Sequence, residues 1–130
     1  MQVPPNCDLT LGLTCVDKST PGRTTWRMNA DERFANPGGV VQGGFIAAML
    51  DSSMGASAVT SLEGRKARVA NAEMKVSFLR SAAIGSTLTC VARTIERGAT
   101  VIFVEARVVD DADRLIATAS STYIAKARDQ

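Results

Sequence analysis

One hundred and thirty residues, 45% of them apolar and 22% charged, have the composition of one globular domain and are too few for two of ordinary size. Fifteen basic against thirteen acidic residues give a net charge of +2, and no basic run with interleaved aromatics marks a nucleic-acid surface. Histidine is absent, which removes Ser-His-Asp and Cys-His nucleophiles, histidine metal sites and histidine-based dehydration, and leaves acid–base work to Asp, Glu, Lys, Tyr or Cys.

The chain opens on Pro4-Pro5 as a lead-in, with a short helical turn expected near Asp8 to Leu11. This segment lacks the basic and continuous apolar regions of a secretory signal, and no apolar run reaches the roughly 20 residues that span a bilayer. Leu13 to Asp17 suits a short strand, stopped at Ser19-Thr20-Pro21-Gly22 by a turn signal. Arg23 to Ala30 alternates as a half-buried strand, with Thr24, Trp26, Met28 and Ala30 on one side. Asp31 to Val41 reads as a loop of defined shape, because Pro37 disfavours a helical residue before it and Gly38-Gly39 permit angles other residues resist. After Gly43-Gly44, Phe45 to Val59 is apolar or small on nearly every side, which predicts a helix buried all round and ended near Gly64. The second half reads as strands. Ala70, Ala72, Met74, Val76 and Phe78 alternate with Asn71, Glu73, Lys75 and Ser77, followed by Ser86 to Glu96, Val101 to Val109 and Leu115 to Ala125. One helix and about six strands in mostly antiparallel succession predict an α+β arrangement in which a sheet wraps the helix. Cys7, Cys15 and Cys90 are odd in number and widely spaced, which suits reduced thiols and a cytoplasmic setting.

Two features of the helix carry chemistry. Asp51 has Ala47, Ala48, Met54 and Gly55 at three and four residues either side, so no cation on its own helix pairs with it. An unpaired carboxylate in an apolar setting costs several kcal/mol, so its presence there asks for a function. Gly43-Gly44 at the helix start presents backbone N–H groups without intrahelical acceptors, a place for a developing oxyanion. Eight residues separate Gly43 from Asp51, about 12 Å along one helix, too far for one carbonyl to meet both. If the two act together they come from different subunits. Helices packed side by side are then expected, with Ala47, Ala48, Gly55, Ala56 and Ala58 permitting close approach.

Asn36-Pro37-Gly38-Gly39-Val40-Val41-Gln42-Gly43-Gly44 and Leu50-Asp51-Ser52-Ser53-Met54-Gly55-Ala56 resemble the signature of the hotdog-fold acyl-CoA thioesterases. The similarity is to their phenylacetate-pathway, PaaI-like branch, whose pattern runs Asn-x-x-Gly-x-x-His-Gly-Gly with an Asp or Glu nine residues after the His. The segment Asn71 to Ala82 also fits, with Ser81 where the family form has proline. The resemblance implies that Asp51 is the catalytic carboxylate, as nucleophile or as general base on water. It implies that the Gly43 N–H polarises the thioester carbonyl, that Asn36 falls where some members hold the nucleophilic water or the carbonyl side, and that Asn71 falls where some members place a Ser or Thr that orients that water. Gln42 stands where the family has His, and a Gln donates a hydrogen bond but shuttles no proton. Gly44, Phe45, Met54, Gly55 and Phe78 are expected around the substrate, in a pocket shaped near Phe45, Met49, Met54 and Phe78, and Arg80 at the coenzyme A phosphates.

The expectation is therefore a hotdog domain over residues 1–130 that hydrolyses acyl-CoA thioesters as a homodimer or a dimer of dimers. No metal or cofactor is expected beyond coenzyme A as part of the substrate, and no nucleic-acid or membrane partner. A non-catalytic acyl-CoA-binding protein of the same fold is the alternative, which the Gln42 departure keeps open.

Overall fold

A computed structural model of the chain describes residues 3–127. A short helix α1 (Asn6–Leu11) leads into β1 (Thr14–Thr20) and β2 (Arg23–Asn29), and the long helix α2 (Gly43–Ser61) follows. The remaining strands are β3 (Ala67–Phe78), β4 (Thr87–Arg97), β5 (Val101–Val109) and β6 (Leu115–Ala127). They form one six-stranded antiparallel sheet in the order β1-β2-β4-β5-β6-β3, with α2 against its inner face. This is the α+β hotdog arrangement that the sequence predicts, and strand ends differ from expectation by only a few residues.

Helix α2 is not buried all round. Ile46, Met49, Leu50, Ser53, Met54, Ser57, Ala58 and Ser61 are buried, a stripe at helical spacing that meets the sheet. Three of the eight are serines, and each hydroxyl is satisfied: Ser53 Oγ donates to Met49 O, Ser57 Oγ to Gly22 O and Ser61 Oγ to Ala58 O. On the opposite side Gly44, Asp51 and Val59 are exposed, and Ala47, Ala48, Ser52, Gly55 and Ala56 are half-buried. The sheet covers one side of the helix and leaves the other open. Ala58, expected at a helix–helix contact, belongs to the core instead.

Strand β3 carries a second departure. Asn71 pairs with Tyr123 of β6, whereas Glu73 pairs with Thr122, so one extra residue sits between them. This bulge shifts the alternation by one. Val69 and Asn71 before it, and Met74, Val76 and Phe78 after it, therefore share the helix side. A regular strand would put Asn71 opposite to Met74 and Phe78, as the sequence pattern predicts.

Met28, Met49, Leu50, Met54, Leu88, Ile102 and Ile116 are fully buried between helix and sheet. Leu50→Ala should lower stability by about 2–5 kcal/mol. Val16→Ala, on the edge strand and half exposed, should stay within about 0.5 kcal/mol. Denaturant midpoints of the two variants check this, and similar midpoints would contradict the placement of Leu50.

Candidate active site

Asp51 projects from the open side of α2 and is exposed in the protomer. It is not unpartnered within its own protomer. Asn71 Nδ2 donates to its Oδ1 at 3.1 Å, and the Tyr123 hydroxyl lies 3.2 Å from its main-chain oxygen and 3.5 Å from Oδ1. Ser121 Oγ sits 3.0 Å from Asn71 Oδ1 and 2.8 Å from Glu73 O. A hydroxyl beside the amide oxygen turns the amide nitrogen toward Asp51. The β3 bulge is what makes this relay possible, since it points Asn71 inward.

Burial, and next the charge of Asp51, push the Tyr123 phenol above its ordinary value of 10.0. The phenol thus stays protonated and acts as a donor at neutral pH. Sequence reasoning passed over Tyr123 and Ser121, which sit in a strand rich in Ser and Thr. The available signal was that Tyr123 is the sole tyrosine in the chain, and a buried tyrosine hydroxyl usually has a partner to find.

An open groove of about 440 Å³ runs past these residues, with Asp51, Gly55 and Val59 of α2 in it, Asn71 and Tyr123 on one wall, and α1 with Trp26 at the other. A larger hollow of about 570 Å³ lies on the sheet's outer face among Arg23, Arg93, Glu105 and Arg107. None of the residues that the motif singles out reaches it, so size alone does not locate the chemistry.

The start of α2 builds a separate groove of about 300 Å³, lined by Asn36, Gly43, Ile46, Phe78 and Arg80 among others. A Cβ on Gly43 would stand 3.1 Å from the Phe78 ring, so only glycine fits there without moving the ring. Gly43 and Gly44 open the helix, where N–H groups lack intrahelical acceptors, and the N-cap Gln42 makes no side-chain cap bond. Gln42 and Gly44 are exposed. Asn36 Oδ1 accepts from Gly38 N at 2.9 Å and Val40 N at 3.3 Å, which folds the Asn-Pro-Gly-Gly loop onto the helix start.

The remaining expected residues divide. Gly55 lies in the Asp51 groove, and Phe78 and Arg80 lie in the Gly43 groove. Phe45 is half-buried and stacks on Phe34 with ring centroids 4.4 Å apart, supporting the loop and lining neither groove. Met54 and Met49 are fully buried against the sheet and do not line either groove. The protomer therefore keeps the two groups in separate grooves, one with a carboxylate and one with unpaired amides. Among the described residues no cluster of three or more His, Cys, Asp and Glu could hold a metal ion, and no helix is long and apolar enough to cross a membrane.

A sheet wrapped on one helix, with a carboxylate on the helix's open side and a glycine pair at its start, defines a hotdog-fold protein of the thioester-processing type. The chain belongs to the thioesterase superfamily, whose family profile matches residues 38–117. It is 32% identical to a phenylacetic acid degradation-related protein from Ralstonia eutropha JMP134, covering 95% of this chain and 92% of that one with a TM-score of 0.85. The PaaI protein of the E. coli phenylacetic acid degradation operon shares the fold at 16% identity, over 95% of this chain and 86% of that one, TM-score 0.88. A Streptococcus mutans UA159 protein bound to acetyl CoA does so at 18% identity, over 100% and 96%, TM-score 0.83. Among curated proteins no match is found.

Tyr123→Phe keeps the ring and removes the donor to Asp51. If the phenol positions the carboxylate, kcat for thioester hydrolysis should fall by up to about tenfold with little change in KM. An unchanged kcat would assign Tyr123 to packing alone.

Proposed function

We propose that the protein is an acyl-CoA thioesterase working as a homodimer, with Asp51 of one subunit facing the Gly43 amide of the other. The observation that carries this reading is the pairing of an oriented carboxylate and unpaired helix-start amides on one helix, in separate grooves about 12 Å apart. Membership of the thioesterase superfamily and the acetyl-CoA-bound Streptococcus relative support the choice of ligand.

Thioester hydrolysis needs a nucleophile and a stabilised oxyanion, because thiolate leaves readily. Asn71 and Tyr123 hold Asp51 toward the groove. The carboxylate takes a proton from water, whose oxygen attacks the carbonyl carbon, or attacks that carbon itself. The carbonyl oxygen gathers negative charge against the Gly43 N–H of the opposite subunit. Coenzyme A then departs as thiolate, and Arg80, beside Gly43, meets its phosphates. The two routes differ in where solvent oxygen goes. After a single turnover in heavy-oxygen water, label in the Asp51 carboxylate requires a covalent anhydride.

Strand β3 supplies the means of assembly. It is twelve residues long, pairs with β6 on one side and forms an edge of the sheet on the other. The other edge, β1, is shorter and irregular in register, which blunts it as a template. Asn71 and Phe78, which hold the two half-sites, lie at opposite ends of the β3 segment between them. An antiparallel β3–β3 pair centred on Met74, with the bulge residue Ala72 left out of the count, sets Asn71 opposite Val76 of the partner subunit and two residues from Phe78 of the partner subunit, and so joins unlike half-sites. The same register sets Glu73 opposite Lys75 of the partner subunit, twice across the two-fold axis. Opposite charges at facing positions stabilise a strand pair by about 0.2–1 kcal/mol, and like charges destabilise it.

Asp51→Asn should remain a folded dimer and lose about 10²- to 10⁴-fold in kcat on acyl-CoA; near-normal thiol release would end the catalytic assignment. Glu73→Lys should shift sedimentation toward monomer, and the double variant Glu73→Lys/Lys75→Glu should restore the dimer. Equal dimerisation of all three proteins would refute the Met74-centred register.

A further inference from the structure

The hollow of about 570 Å³ on the sheet's outer face, across the sheet from α2, has no part in hydrolysis. Arginine dominates its lining, with Arg23 from β2, Arg93 from β4 and Arg107 from β5 against one carboxylate, Glu105. The rest of the lining is no larger than valine, Val91 and Thr118 included, so no bulky side chain stands between the guanidinium groups.

Strand register forces these cations together. Arg23 faces Arg93 directly across the β2–β4 pair, and like charges at facing positions destabilise a strand pair. Arg93 in turn faces Glu105 of β5 and forms an ion pair with it. Arg107 faces Val91, two residues along β4 from Arg93, which sets the two arginines about 8 Å apart at the backbone. Glu105 thus answers one of three positive charges. Arg107 has no ion pair or side-chain hydrogen bond among the described residues. The charge of Arg23 reaches Asp17 of β1, but Asp17 Oδ1 is already engaged by the backbone N–H and hydroxyl of Ser19. Three arginines and one glutamate give the hollow a net charge of +2, as much as the whole chain carries. The remainder of the molecule is balanced, and the surplus is concentrated here.

We infer that this hollow binds a small anion built on a diphosphate group, free or as a nucleotide ester. The guanidinium is a planar fork that meets phosphate oxygens two at a time, whereas lysine, absent from the lining, offers a point charge. The volume lies within the range of small-molecule sites, roughly 300–1,000 Å³. A second copy laid face to face on this surface would double the positive excess rather than relieve it, so an anion and not another subunit is the fitting occupant. The site goes beyond the thioesterase reading and stands whether or not that reading does.

Calorimetry of the full chain with inorganic pyrophosphate, ADP and adenosine tests the inference. Pyrophosphate and ADP should bind at one per chain and adenosine should not, with affinity falling as salt rises from about 0.05 M to about 0.5 M. Arg23→Ala and Arg107→Ala should each weaken binding about 10- to 100-fold, the range of hydrogen bonds to a charged group. Glu105→Gln should tighten it, a gain that misfolding does not produce. Arg80→Ala, beside Gly43, should leave pyrophosphate binding unchanged, which separates the outer hollow from the groove expected to meet coenzyme A. ADP binding tighter than pyrophosphate makes a nucleotide the ligand, and equal affinities make the diphosphate group sufficient; both support the inference. No binding of either anion overturns it, as do affinities unchanged in Arg23→Ala and Arg107→Ala or lost in Arg80→Ala. A larger oligomer in sedimentation that Arg107→Ala dissolves would give this face to a second copy, and overturns it equally.

Discussion

The rise of an α-helix governs this molecule. Gly43 and Asp51 are fixed eight residues apart on α2, and 1.5 Å per residue keeps them about 12 Å apart whatever the rest of the chain does. Neither groove of the protomer contains both groups. A carbonyl that meets an amide and a carboxylate together therefore needs two helices running past each other. The open side of α2, lined by Gly44, Ala47, Ala48, Asp51 and Gly55, is small enough for that approach. In the proposed dimer, site and assembly become one problem, and the long β3 edge is the surface proposed to solve it.

Much of the fold is legible in the sequence because local chemistry and global packing agree there. The alternation in Arg23 to Asn29, the glycine turns at Gly22 and Gly98 and the Asp110–Asp113 turn all sit where the pattern puts them. Helix α2 is legible as a helix but not as an amphipathic one. Its buried stripe contains Ser53, Ser57 and Ser61, and its open side contains alanine and glycine, so polarity does not distinguish the two sides. The serines are tolerated inside because each donates to a nearby carbonyl, and Thr24 Oγ1 reaches Ser53 O at 2.9 Å from the sheet. Such bonds depend on tertiary neighbours and leave no periodic trace.

The surroundings of Asp51 were hidden for a related reason. A two-residue period places Asn71 with Glu73, Lys75 and Ser77, away from the helix, and one extra residue reverses that assignment. Tyr123 arrives from a strand 72 residues further along the chain. The motif residues could be found by spacing, but the groups that orient Asp51 could not, since their relation exists only once β3 and β6 pair. The same holds for Asp8 and Trp26, which meet the groove from α1 and β2. The motif marks Asp51 and Gly43, and the fold decides what surrounds them.

The proposed shared site is tested most directly by mixing two proteins expected to be inactive alone, one carrying Asp51→Asn and the other Gly43→Val, under conditions that allow subunits to exchange. In a hybrid dimer one of the two sites keeps both its carboxylate and its unobstructed amide. Random exchange should then restore about a quarter of wild-type turnover, as expected for a two-fold assembly. Hybrids that demonstrably form yet remain as inactive as their parents would contradict a site built from two subunits.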